Sequence, residues 1–103
     1  MPFMLRYAVR TIGHIESVEP KYRGLIRKVL DQQLRHQPLI LTRNRKPMKR
    51  PSVLGATWEI RFGPGNRFRA YYDVDETEHV VEILAIGVKE GGRLRMGGEE
   101  VGL

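Results

Sequence analysis

The stretch WEIRFGPGNRFRAYYDV, Trp58 to Val74, interleaves apolar and charged side chains on both sides of a Gly-Pro-Gly-Asn break. Successive side chains of a strand point to opposite faces. Trp58, Ile60 and Phe62 therefore share one face, continued on the next strand by Phe68, Ala70, Tyr72 and Val74. Glu59 and Arg61 share the other, with Arg67, Arg69, Tyr71 and Asp73. This alternation predicts a hairpin whose apolar side lies under another element and whose opposite side is free and rich in arginine.

The covering element is legible upstream. From Pro20, the residues Tyr22, Leu25, Ile26, Val29, Leu30 and Leu34 recur every three or four positions, which draws an apolar stripe down a helix of about four turns. Pro20 suits its first turn, and Pro38 ends it, because the residue before a proline avoids helical geometry. Before it, FMLRYAV alternates over 3–9 as a strand, and a short helix follows Thr11, whose hydroxyl is placed to cap it, with Ile12, Ile15 and Val18 as apolar points. Residues 42–56 hold two prolines, a glycine and five basic residues between Arg43 and Arg50, the composition of a basic loop. Three strands are expected at 57–63, 67–74 and 79–88. The order β-α-α-β-β-β predicts an α+β fold, a small antiparallel sheet with two N-terminal helices packed on one face. The tail, 89–103, is glycine-rich and reads either as a short extra strand at Arg93–Met96 or as a segment that orders against a partner.

A chain of 103 residues has room for one domain, and 41% hydrophobic residues is ordinary globular usage. It has no cysteine, which removes disulfides and thiolate metal sites and suits a reducing cytoplasm. The longest apolar runs are too short for a membrane span or a signal peptide. His14, His36 and His79 sit on separate elements without ligand spacing, so neither a metal nor any other cofactor is expected. Lys and Arg number 18 against 12 Asp and Glu, a net charge of +6, which points to phosphate backbones as partners.

Two readings of the arginine-bearing sheet face compete. Antiparallel sheets commonly expose a polar face, and Glu59, Asp73 and Glu82 are placed to pair with the arginines. Convergent guanidinium groups also bind phosphate, since their forked donors match its oxygens and stay charged at any physiological pH. The clustering favours the second.

These residues resemble a known family. Trp58-Glu-Ile-Arg61, then Arg67-Phe-Arg69-Ala-Tyr-Tyr72-Asp-Val74, then Val81-Glu-Ile-Leu-Ala-Ile-Gly87-Val-Lys89 resemble the RelE/ParE superfamily of toxins from bacterial type II toxin-antitoxin systems, over roughly residues 3–90. In the RelE branch the resemblance implies a metal-independent, ribosome-dependent endoribonuclease that cuts mRNA and is silenced by a cognate antitoxin. It places Arg69 where the branch has a sheet arginine on the scissile phosphate, Arg61 at a basic position on the neighbouring strand, and Lys89 at another basic catalytic position just past the last strand. Glu59 stands where some members have lysine. The tyrosine that some members carry near the C-terminus is Arg95 here or is absent.

The chemistry so implied is attack of a ribose 2′-hydroxyl on the adjacent phosphorus, which requires alignment, a base, charge stabilisation and an acid. Arg61 and Arg69 suit charge stabilisation, and Glu59 or Lys89 is the candidate base. Tyr71 either packs across strands or meets the RNA. Arg67, Lys46, Lys49, Arg50, Arg93 and Arg95 complete a candidate RNA-binding set. The expected partners are the antitoxin, an acidic or apolar segment of which would wrap the toxin, mRNA on the ribosome, and operator DNA reached only through the toxin-antitoxin complex. Two rivals share the fold: a ParE-like inhibitor of DNA gyrase without nuclease activity, and a non-catalytic module that binds RNA or antitoxin.

Overall fold

The computed structural model describes residues 1–49 and 54–102. Strand β1 (Met4–Tyr7) leads into helix α1 (Arg10–Glu16) and helix α2 (Pro20–Leu34), followed by strands β2 (Arg45–Pro47), β3 (Trp58–Phe62), β4 (Phe68–Asp75), β5 (Val80–Glu90), β6 (Arg93–Met96) and β7 (Glu99–Val101). The sheet runs β2-β3-β4-β5-β6-β7, antiparallel throughout, with β1 added parallel to β5. The expected α+β fold is present. The tail, left open between strand and partner-ordered segment, forms two strands.

The main core lies between the helices and one face of the sheet. Ile26, Leu30 and Leu34 of α2 and Ile15 of α1 meet Ile60, Phe62, Phe68, Ala70, Tyr72, Val81, Ile83 and Ile86. The alternation in β3 and β4 explains which residues these are. Leu25 is the one member of the predicted stripe left at the surface, because Tyr22, Ile26, Leu30 and Leu34 already form a row at four-residue spacing. Thr11 does not cap α1 from outside. It sits inside the helix, fully buried, and its hydroxyl donates to the Ala8 carbonyl at 2.6 Å.

Strand β5 has only two edges, and β4 occupies one of them from Val80 to Val88. Strands β1 and β6 must therefore share the other, β1 beside Val80–Ile83 and β6 beside Val88–Glu90. Between them the backbone of β5 would be unpaired. Helix α1 closes this gap with side chains: Arg10 donates to the Leu84 carbonyl at 3.3 Å, and the Ile86 N–H donates to His14 Nδ1 at 3.1 Å.

That last bond requires an uncharged imidazole, and burial followed by the nearby Arg10 lowers the His14 pKa below its ordinary value. The unfolded chain then binds the proton more readily than the folded one. Stability from this bond is present above the ordinary histidine pKa of about 6.5 and is lost as pH falls through the lower folded value. Urea unfolding is expected to give a lower midpoint at pH 5 than at pH 7.5, with a smaller difference in His14→Gln. An equal difference in that variant would place the pH dependence elsewhere.

Candidate functional site

The register of the central strands decides which charged side chains meet. Arg61 lies directly opposite Arg69, which lies opposite Gly87, while Glu59 lies opposite Tyr71. Like charges directly opposite one another repel. Glu59 relieves this, since its carboxylate accepts from Arg61 Nε at 2.7 Å. Lys89 is inside β5, two residues beyond Gly87 on the same face, rather than past the last strand.

This face is not free along its whole length. Tyr71, Ala85, Ala56 and Leu94 form a second, smaller core, with Met48, Leu54, Leu84 and Met96 packed against it. The basic segment and the glycine-rich tail carry enough apolar side chains to need burial, and they find it here. Glu59 and Tyr71 are consequently buried, and the open part of the face is the end bearing Arg61, Arg69 and Lys89. Burial first, and the Glu59 carboxylate second, raise the Tyr71 pKa well above that of a free phenol, with Arg69 and Arg61 opposing. Among the described residues no atom completes a hydrogen bond to the Tyr71 hydroxyl, although Glu59 is close enough to act on it electrostatically.

At the open end, the chain encloses a cavity of about 200 Å³ lined by Arg69, Tyr71, Lys89, Arg93, Leu94 and Glu100, with Gly92 and Val101. Strands β4 and β5 supply the first three, and the C-terminal hairpin closes the rest. Gly87 permits this closure. A Cβ there would lie 2.8 Å from Leu94 Cδ1 and 3.2 Å from the Arg95 carbonyl oxygen. Among the described residues, neither Arg69 nor Lys89 has a carboxylate within ion-pair distance, so the cavity carries excess positive charge. Such a site offers forked and single-point donors to phosphate oxygens.

Other candidate residues lie elsewhere. Arg67 precedes β4 in a helical conformation and leans to the helix side, its guanidinium 5.6 Å from the centre of the Tyr22 ring. The Pro64–Asn66 turn breaks the strand alternation that would have put it with Arg69. Arg95 turns to the Gly98 carbonyl of its own hairpin, at 3.5 Å. Lys46 is exposed on β2, opposite Glu59, and Lys49 is exposed beyond it. Arg50 lies outside the described residues. His79 stacks on Phe3 at 3.8 Å between ring centres, remote from this cavity. Among the described residues no three His, Cys, Asp or Glu side chains gather as a metal-ligand set, and no helix is long and apolar enough to cross a membrane.

A larger hollow of about 700 Å³ runs between β1 and α2, lined by Phe3, Leu5, Tyr7, Arg27 and Arg35 among others. Its one carboxylate, Asp31, is held by Arg35 at 2.6 Å, and its β1 wall is largely apolar. It brings together none of the residues singled out for chemistry.

Sequence comparison gives no family: neither a protein-family model nor a curated protein matches the chain. Structure comparison does better. A chain in the crystal structure of the toxin-antitoxin complex RelBE2 from Mycobacterium tuberculosis is similar with a TM-score of 0.69 and 22% identity, over 86% of this chain and 100% of that one. The two chains share their fold.

Proposed function

We propose that the protein is the toxin of a type II toxin-antitoxin system and acts in the cytoplasm as a ribosome-dependent endoribonuclease. The observation that carries this reading is the cavity where Arg69, Lys89 and Arg93, from three different strands, converge on a single described carboxylate, Glu100, leaving an excess of positive charge. The shared fold with a chain of a toxin-antitoxin complex supports the setting, and the resemblance of the three sheet motifs supports the branch. Arg69 and Lys89 hold the scissile phosphate and stabilise charge on its oxygens as the ribose 2′-hydroxyl attacks. Arg61 extends the positive field along β3, and Glu59 fixes the Arg61 side chain. Lys46 and Lys49, both exposed, belong to the part of the surface that meets the ribosomal RNA backbone. The products are a 2′,3′-cyclic phosphate and a free 5′-hydroxyl. An antitoxin with an acidic or apolar segment offsets the net charge of +6 and silences the site.

The test is inducible expression of wild type and Arg69→Ala in bacteria, with translation followed over minutes and transcript 5′ ends mapped. Cuts inside translated codons, abolished by Arg69→Ala, are the expected result. Intact transcripts accompanied by a DNA-damage response would reassign the protein to gyrase inhibition.

A further inference from the structure

A 2′-hydroxyl must lose its proton before it attacks, and the candidate bases from sequence were Glu59 and Lys89. Glu59 is 7% exposed, absent from the cavity wall and committed to Arg61 Nε at 2.7 Å. An ammonium or guanidinium group has no lone pair with which to accept a proton, which disposes of Arg69, Lys89 and Arg93 in their charged forms. Tyr71 is kept as the neutral phenol by burial and by Glu59. Gly92, Leu94 and Val101 have no acid-base chemistry. Among the described lining residues, one is left.

We infer that Glu100, on the C-terminal strand β7, is the general base of the proposed ribonuclease. This rests on the reading of the cavity as a nuclease site. Glu100 lines the same cavity as Arg69, Lys89 and Arg93. Its side chain is 54% exposed, so it meets substrate without rearrangement of the core, and Arg93 holds it by a loose contact of 3.7 Å that leaves acceptor capacity on the carboxylate. The step balances simply. A Glu100 oxygen takes the 2′-hydroxyl proton, the 2′ oxygen forms a bond to phosphorus, the bond from phosphorus to the 5′ oxygen breaks, and that oxygen takes a proton from the Lys89 ammonium. The tail is then part of the catalytic apparatus.

The test is single-turnover cleavage of a defined mRNA on programmed bacterial ribosomes by wild type, Glu100→Gln and Glu99→Gln, each across pH 4.5 to 8. Glu99, exposed on the same strand and outside the cavity wall, is the charge-matched control. Glu100→Gln is expected to cleave about 10²–10³-fold more slowly, the scale of general-base loss, and to lose the fall in rate toward acid pH. Glu99→Gln keeps the wild-type rate and profile. Glu100→Gln that cleaves at the wild-type rate, or faster because the carboxylate merely shields the cations, overturns this assignment while leaving the nuclease reading intact. An equal loss in both variants also overturns it, since net charge alone would then explain the effect. Wild-type protein that leaves the mRNA whole defeats the nuclease reading and the assignment with it.

Discussion

Replacing Arg45 with methionine is expected to cost about 3 kcal/mol of folding stability, read as a lower urea midpoint with an unchanged slope. Arg45 belongs to the segment that sequence presents as a basic loop, yet it is only 5% exposed. It sits on β2 opposite Ile60, and its guanidinium donates to the Gln33 carbonyl at 3.0 Å and to the Gln37 carbonyl. Those carbonyls lie at and just past the C-terminal end of α2, where a helix leaves acceptors unmatched and favours a cation. Beside it, the Tyr72 hydroxyl donates to the Pro38 carbonyl at 2.7 Å, so two side chains from the sheet fix the chain as it leaves the helix.

Two effects oppose one another at Arg45. Methionine removes a buried charge that, among the described residues, has no carboxylate partner and an Nε without a hydrogen bond, which by itself stabilises. It also takes a charged donor away from two partly buried carbonyls, and a hydrogen bond to a charged group is worth about 1.5–3 kcal/mol. The second effect wins. Arg43→Met, at an exposed position two residues earlier, is the comparison, and equal midpoints for the two variants would show that the carbonyls find other donors.

Arg45 also shows where sequence stops being informative. The alternation in β3 and β4 and the stripe in α2 gave the α+β fold and its main core, because burial of one face leaves a periodic trace. Arg45 leaves no such trace. An isolated arginine among Arg43, Lys46, Lys49 and Arg50 looks like its neighbours until the end of α2 arrives above it. The same holds for Arg10 and His14, whose partners on β5 are separated from them by more than seventy positions. The site was legible in part. Arg69, Tyr71, Lys89 and Arg93 were candidates from sequence and line one cavity, whereas Arg67 and Arg95 followed the same charge logic and point elsewhere. Turn geometry at Pro64–Asn66 and hairpin curvature near Gly97 decide their direction, and neither has a periodic signature. Glu100 was hidden by the glycine-rich character of the tail around it.

The tail gives the second large effect: Gly87→Val is expected to reduce the proposed mRNA cleavage by at least about 10²-fold, the scale of losing groups that act on the reacting centre. Any side chain at 87 projects toward Leu94 and the Arg95 carbonyl oxygen. Alanine meets mainly the far end of a flexible leucine, which can turn aside, but valine adds two more carbons against a fixed carbonyl. Overpacking of this kind costs about 1–3 kcal/mol, and the cheapest relief is for β6 to move off β5. That movement carries Arg93, Leu94, Glu100 and Val101 away from Arg69 and Lys89 and opens the cavity. The main core lies on the opposite face and is untouched. Cleavage should therefore collapse in a protein that still unfolds cooperatively, with faster amide exchange confined to 93–101, while Gly87→Ala keeps most of its activity. Full cleavage by folded Gly87→Val would show that β3, β4 and β5 suffice for the reaction, and that the hairpin only covers the small core around Tyr71.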